Sequence, residues 1–300
     1  MSAPTKKVTL ATLAALRARG EKAVFITAYD YPTATFADRA GADMLLVGDS
    51  AAMTMLGLPN TMGIGLDEML VFARAVTRGA RRAFVVGDLP FLSYQPSDEV
   101  AVRSAGAFVG VAGCDAVKCE GGARIANRVR AMTDAGIAVM GHLGLTPQSL
   151  AQLGGFRVQG KSLADAERIV DDALALQEAG AFAILLEAMP AETAALVRER
   201  VDVLVYGIGA GPHVDGQLVI SHDILGSFVG DIAPRFVKRY AEVGREIERA
   251  IGEYAADVRA RRFPAPEHCY ETTPEKEAEI RGAREPRQRA TLAVAGVPAR

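Results

Sequence analysis

Eight short apolar runs recur along the chain: Ala23–Asp30, Asp43–Ser50, Phe84–Phe91, Ala116–Gly122, Ile137–Gly144, Phe182–Met189, Val203–Gly211 and Gln217–Gly226. Each closes on polar or glycine-rich residues. Continuous apolar runs of this length suit strands buried on both faces, the strands of a parallel sheet whose crossovers are helices. The intervening stretches have helical patterning: Pro32–Ala40, Leu66–Arg78, Ser97–Ala112, Ala123–Ala135, Leu163–Ala179 and Ala191–Glu199. Several open after Ser, Thr or Asp and close at Gly, the residues that satisfy free helix ends. Eight such units predict an α/β fold, a (β/α)8 barrel. Thr9 is placed to cap a helix running to Arg19, and Pro234–Arg262 reads as one or two charged, amphipathic helices. Residues 1–271 are therefore expected to form one barrel domain with terminal helices. Beyond them, Thr272–Arg300 is rich in Pro, Glu and Arg and has little to pack, so a mobile tail or an interaction arm is expected.

Two gaps are longer than the rest. Ala51–Gly65 is apolar and glycine-bearing, and Leu145–Lys161 contains Thr146-Pro147-Gln148 and Gly154-Gly155. Long loops on the C-terminal face of a barrel are commonly lids or substrate walls; the alternative is a cover over the core without a catalytic part.

Composition narrows the class. Half of the 300 residues are hydrophobic, enough for the core of one barrel. A formal charge of −2 gives no electrostatic reason to expect nucleic acid or an anionic membrane as a partner. The three cysteines, Cys114, Cys119 and Cys269, are odd in number and lack metal-site spacing, which predicts reduced thiols. No apolar segment follows Lys6-Lys7 to make a signal peptide, and the uncharged stretch at Ala51–Leu66 is broken by Pro59 and glycines. A soluble, cytoplasmic protein is expected.

The strand ends carry the chemistry. They supply Asp49-Ser50, Asp88, Lys118, Glu120, His142, Glu187 and the glycine-rich Gly207–Gly211. Barrels gather catalytic groups at these C-terminal ends, where a charged side chain costs folding energy unless it is used or paired. Lys118 and Glu120 are two apart on a strand and so share a face. Asp49, Asp88 and Glu120 are hard oxygen donors of the kind that suits Mg²⁺; each taken alone could equally serve in a salt bridge or a cap. Glu187 closes the run Ala183-Ile184-Leu185-Leu186 and stands apart from the other acids, in the partly desolvated setting of a general base. His142 can bind a ligand carboxylate or merely satisfy backbone groups. Gly207–Gly211 falls where barrels often hold phosphate, though tight packing at the rim explains it as well. His213, His222 and Asp223 read as structural.

At these residues the chain resembles the ketopantoate hydroxymethyltransferases. The resemblance runs from about Thr5 to Tyr270 through Ile26–Tyr31, Leu46–Ser50, Asp88–Phe91, Val117–Gly122, Gly141–Ser149, Leu186–Pro190 and Gly207–Gly211. It implies a (β/α)8 TIM barrel of the phosphoenolpyruvate/pyruvate superfamily and Mg²⁺-dependent transfer of a hydroxymethyl group. The donor would be 5,10-methylenetetrahydrofolate, the acceptor 3-methyl-2-oxobutanoate and the product 2-dehydropantoate, on the route to pantothenate. Carried over by position, Asp49, Asp88 and Glu120 would hold the metal, Glu120 through water. Ser50 and Lys118 would join the metal ligands in binding the oxo acid, and Glu187 would be the proton acceptor. The family assembles as decamers of stacked pentamers, so a homo-oligomer is implied. Over Ala51–Gly65 the chain departs from the pattern, apolar and glycine residues replacing a polar stretch. That leaves a different 2-oxo acid acceptor as an alternative. A Schiff-base aldolase using Lys118 and a non-catalytic ligand-binding paralogue are the other readings; the acid cluster beside Lys118 disfavours the first, and retention of Glu187 the second.

Overall fold

The computed structural model describes residues 6–230 and 234–283. They fall in two compact units, one ending at Gly244 and the other beginning at Arg245. The first holds α1 (Leu10–Ala18), β1 (Ala23–Thr27), α2 (Tyr31–Arg39), β2 (Met44–Val47), α3 (Ala51–Thr54), α4 (Leu66–Gly79) and β3 (Phe84–Asp88). It continues with α5 (Asp98–Gly106), β4 (Ala116–Glu120), α6 (Ala126–Asp134), β5 (Val139–Gly144), α7 (Leu150–Leu153), α8 (Leu163–Glu178) and β6 (Ala183–Glu187). It ends with α9 (Ala191–Arg200), β7 (Leu204–Ile208), β8 (Gly216–Val219) and α10 (Ser221–Leu225). The eight strands pair in chain order and β8 returns to β1, all parallel, closing the expected barrel.

Caps account for several element starts. Thr9, Asp30, Ser97 and Ser162 accept the backbone N–H groups of Thr12, Thr33, Val100 and Asp165, each satisfying a donor the first helical turn leaves free. The helix expected over Ser97–Ala112 is α5 followed by one π-helical turn, Ala107–Val111. Other boundaries move. The run Gln217–Gly226 is strand only over its first part, because the Ser221 N–H donates to Thr27 Oγ1 at 3.0 Å and the chain turns into α10. The Ala51–Gly65 gap is no open loop: it holds α3 and a short 3-10 turn at Thr61–Gly63, capped by Asn60.

Strand alternation sorts side chains into two cores. Leu45, Val85, Val117, Cys119, Ile184 and Val205 face outward to the helices. Phe25, Met44, Leu46, Phe84, Val86, Ala116, Met140, Leu185 and Tyr206 fill the barrel interior, and Leu13 of α1 belongs to the same cluster. A period of two then fixes what lies above that inner layer. Val86 is followed on its face by Asp88, Ala116 by Lys118 and Glu120, Met140 by His142, and Leu185 by Glu187. The charged residues therefore continue the inward faces of β3 to β6 at their C-terminal ends, and the barrel's floor is apolar.

The second unit holds all but the first two residues of α11 (Val243–Arg259), followed by α12 (Pro274–Gly282). The stretch Pro234–Arg262 is thus helical only from Val243, and the segment expected to be a tail is helical over Pro274–Gly282. The remainder of that segment, from residue 284, lies outside the described residues. Phe263 packs edge-on against Tyr254, with ring centroids 5.4 Å apart, and against His268. No helix among the described residues is long and apolar enough to cross a membrane.

Candidate active site

A cavity of about 660 Å³ opens at the C-terminal face, and Asp49, Ser50, Asp88, Lys118, Glu120, His142 and Glu187 all line it. Parallel register sets their order around the rim: Asp88 lies opposite Lys118, Glu120 opposite His142, and Gly144 opposite Glu187. Asp49 and Ser50 follow β2 immediately.

Ion pairs link these groups. Lys118 Nζ donates to Asp88 Oδ1 at 2.6 Å and lies 3.8 Å from Glu120 Oε1. The Asp49 N–H donates to Asp88 Oδ2 at 3.1 Å. His142 Nδ1 is 3.2 Å from Glu120 Oε1, and its Nε2 is 3.1 Å from Glu187 Oε2, close enough to attract charge but angled off a hydrogen bond. Glu187 therefore does not stand apart from the acid cluster, as its sequence position suggested; His142 joins it to Glu120. Ser50 Oγ is held 2.8 Å from the hydroxyl of buried Tyr29.

Two further residues brace the cluster. Gln148, in the loop after β5, donates from Nε2 to Asp49 Oδ2 and to the Leu89 carbonyl, each at 2.9 Å, and its N–H donates to Glu120 Oε2 at 2.9 Å. Tyr94 OH accepts the Glu120 N–H at 2.9 Å and sits 2.9 Å from both the Glu120 carbonyl and Gln148 Oε1, one of which takes its proton. Sequence reasoning quoted Gln148 only within a motif and missed Tyr94, a lone aromatic in a turn-rich stretch. Met53, Thr54 and Thr61 bring the Ala51–Gly65 segment into the cavity wall, and Phe156, Arg157 and Val158 bring in the loop after β5. Thr61 Oγ1 is buried with no hydrogen-bond partner among the described residues. Just past Glu187, Ala188 takes a left-handed φ of 49°, with its N–H on the Ile208 carbonyl and its own carbonyl on the Gln159 N–H. A non-glycine residue held there is a strained turn fixed by its surroundings, common beside active groups.

Gly207–Gly211 is tightly packed at the rim. A Cβ at Gly209 would lie 2.5 Å from the Phe236 ring and one at Gly211 2.5 Å from Ala191. Asp223, read from the sequence as structural, lines the same cavity. His222 tilts against Tyr29 with centroids 5.4 Å apart.

Charge balance decides what the cluster can hold. Burial, then the charges of Asp88 and Glu120, push Asp49 well above the usual carboxylate range. Burial also raises Asp88, against the pull of Lys118. Burial would raise Glu120 too, but the hydrogen bond and charge of His142, with Lys118, bring it down overall. Burial and Lys118 press His142 down, and the carboxylates of Glu120 and Glu187 outweigh them, lifting it to about 9. Lys118 rises despite burial because three acids surround it. Among the described residues, Lys118 and His142 are the cations that ion-pair within the group of Asp49, Asp88, Glu120 and Glu187, and Asp49 feels Lys118 only as a neighbouring charge. A hard divalent cation answers that excess in charge and in donor type. Among the described residues, no three His, Cys, Asp or Glu side chains already converge as a metal cage. The residues fit such an ion by chemistry, with Asp49 and Asp88 the adjacent donors.

Comparison with known proteins decides the family. The family model described as ketopantoate hydroxymethyltransferase matches residues 7–266. The chain belongs to that family. A 3-methyl-2-oxobutanoate hydroxymethyltransferase from Syntrophobacter fumaroxidans is 53% identical over 243 residues, 81% of this chain and 86% of its own length. One from Moorella thermoacetica is 50% identical over 89% of this chain and 99% of its own. The chain is accordingly an enzyme, a transferase. Among solved structures, a phosphonopyruvate hydrolase complexed with oxalate and Mg²⁺ aligns with a TM-score of 0.59 at 15% identity, covering 92% of this chain and 95% of its own. A 2,3-dimethylmalate lyase of the PEP mutase/isocitrate lyase superfamily aligns at 0.53 and 17% identity, over 91% and 94%. At such identities the likeness is one of fold alone.

Proposed function

We propose that this chain transfers a hydroxymethyl group from 5,10-methylenetetrahydrofolate to 3-methyl-2-oxobutanoate, giving 2-dehydropantoate for pantothenate synthesis. The observation that carries this reading is the division of the cavity floor. A braced acid–lysine cluster lies on one side and a single, more accessible carboxylate, Glu187, on the other, with His142 between them. Asp49 and Asp88 would hold Mg²⁺, with Glu120 through water, and the ion would supply Lewis acidity that stabilises negative charge on the acceptor's ketone oxygen. Lys118 adds fixed positive charge beside the same oxygen or the carboxylate, and Ser50, oriented by Tyr29, donates to the acceptor. His142 presents Nε2 toward the acceptor side. Glu187, only partly buried, takes the proton from C3; that carbon then forms its new bond to the folate's methylene carbon, whose bonds to nitrogen break. Overall, one water supplies the hydroxyl oxygen and tetrahydrofolate leaves.

Assembly as a homo-oligomer, the family's decamer, is part of the proposal. It is supported by Ile247, Ile251, Tyr254 and Val258, which stand exposed at helical spacing on one stripe of α11. We also place the enzyme in the cytoplasm, in keeping with its unpaired cysteines.

The test is exchange of the acceptor's C3 proton with solvent deuterium, followed by product mass once the folate is added. Glu187→Gln should slow exchange by about 10² or more while oxo-acid binding persists. EDTA should abolish turnover and Mg²⁺ restore it. Unchanged exchange in Glu187→Gln, or full activity in chelator with borohydride trapping on Lys118, would refute the scheme.

A further inference from the structure

The cavity is larger than a five-carbon oxo acid needs, and its far side is built differently from its floor. Beyond Thr27 and Ile220 the wall passes to Asp223 on α10 and to the aromatic rings of Phe228, Phe236 and Phe156. Phe156 and Phe236 are 51% and 42% exposed, which leaves two flat apolar faces in water at the mouth of a site. Gly209 is what lets Phe236 sit there, because any side chain at that position would collide with the ring.

Asp223 is the unexplained group in this apolar wall. Its carboxylate makes no hydrogen bond or ion pair among the described residues, and Arg239 reaches it only as a neighbouring charge. Burial pushes it above the usual carboxylate range. A half-buried acid without a protein donor leaves two strong acceptor oxygens open to water or to a ligand that enters the cavity. Position relates it to the reaction. Asp223 follows β8, Asp49 follows β2, and β1 alone separates those strands, so the two acids rise from neighbouring sectors of the barrel rim. Asp223 is also near enough to Tyr29, the residue that holds Ser50, for its charge to act on the phenol.

A flat ligand that offers two adjacent N–H donors fits a cavity wall that holds both a carboxylate and exposed aromatic rings. The pterin of the folate co-substrate has such an edge, formed by N3–H and the 2-amino group, and it lies across the bicycle from N5, which bears the transferred carbon. We propose that Asp223 is the recognition residue for that edge, paired bidentately with it while the bicycle stacks on Phe236, so that N5 is directed toward the acceptor between Ser50 and Glu187. This assignment rests on the folate reading above. No group here does chemistry; Asp223 orients the donor.

The experiment pairs a protein change with a ligand change. Binding of tetrahydrofolate and of a 2-desamino-2-methyl folate analogue is measured calorimetrically on the full chain and on Asp223→Asn, with circular dichroism to check folding. The full chain should prefer the 2-amino ligand by roughly ten- to a hundredfold, the scale of charge-assisted hydrogen bonds, and Asp223→Asn should lose most of that preference. If tetrahydrofolate binds both proteins equally, or if the full chain does not distinguish the two ligands, the assignment is wrong while the folate reading stands. If the full chain binds no folate at all, the folate reading falls and takes this one with it. Should Asp223→Asn fail to fold, the comparison of the two ligands on the unaltered chain still decides.

Discussion

Lys118→Met is the change that most directly probes how the site is held together. The ammonium is 3% exposed, bonded to Asp88 at 2.6 Å and 3.8 Å from Glu120. Methionine keeps most of the volume, so the perturbation is electrostatic. Removing one partner of a buried pair leaves the other charge uncompensated, typically at a cost of about 3–5 kcal/mol. Asp88 can limit the loss by taking a proton, which places the expectation near 3 kcal/mol at neutral pH. For a unit of this size, with roughly 2–4 °C per kcal/mol, that is a fall in Tm of about 6–12 °C. The sign with pH follows. Burial already raises Asp88, and Lys118 is what pulls it back down; without the lysine its folded pKa rises further above the unfolded value. The variant's deficit against the wild type should therefore narrow as pH falls, when the carboxyl is protonated in both states, and widen as pH rises. Added Mg²⁺ should restore part of the loss if Asp49 and Asp88 hold the ion, by ordinary ligand linkage. Differential scanning calorimetry from pH 5 to 8, with and without the metal, measures all three. Equal Tm for the two proteins at pH 8 without metal would show that the charge excess inferred at the floor does not exist.

Other positions give independent checks. Thr61→Val removes a buried hydroxyl that has no partner among the described residues; it should leave Tm unchanged or slightly raised, yet weaken oxo-acid binding, and a clear loss of Tm would contradict the unpaired hydroxyl. Gly87→Ala would put a Cβ 2.3 Å from the Phe108 ring on the helix-facing side of β3; about 1–3 kcal/mol of destabilisation by chemical denaturation is expected, and none would mean that the ring yields freely. Burial lowers His222 below its ordinary value, so the unfolded chain takes up the proton first and this residue's contribution is intact above about pH 6.5 and eroded below it. His222→Asn should flatten that part of the stability–pH curve, and an unchanged slope between pH 6.5 and 5 would count against it.

Some of this was legible residue by residue. Asp88, Lys118, Glu120, His142 and Glu187 could be placed at one end of the barrel because each ends an apolar run, and the two-residue period of a strand puts Lys118 and Glu120 on one face wherever the strand lies. Asp49-Ser50 was found the same way. Gln148 and Tyr94 were not, because each lies in irregular chain where no periodicity says which way a side chain points. The place of Asp223 was missed for a related reason: the apolar run that holds it reads as strand to Gly226, whereas strand pairing stops at Val219 and the residue belongs to a short helix that lines the cavity.

The sequence by itself determined the eight-fold alternation of strand and helix, the inward and outward faces of each strand, and the acidic, metal-suited character of the strand ends. These follow from local periodicity and residue chemistry, which need no knowledge of distant neighbours. Only the closed barrel decided who meets whom. Parallel register set Asp88 against Lys118 and Glu120 against His142, and His142 then joined the acid thought to stand alone. Closure also brought β8 back beside β1, so that a residue more than 170 positions from Asp49 lines the same cavity. Proximities of that kind arise from ring closure and from loops folding over it, and no short-range pattern in a chain encodes them.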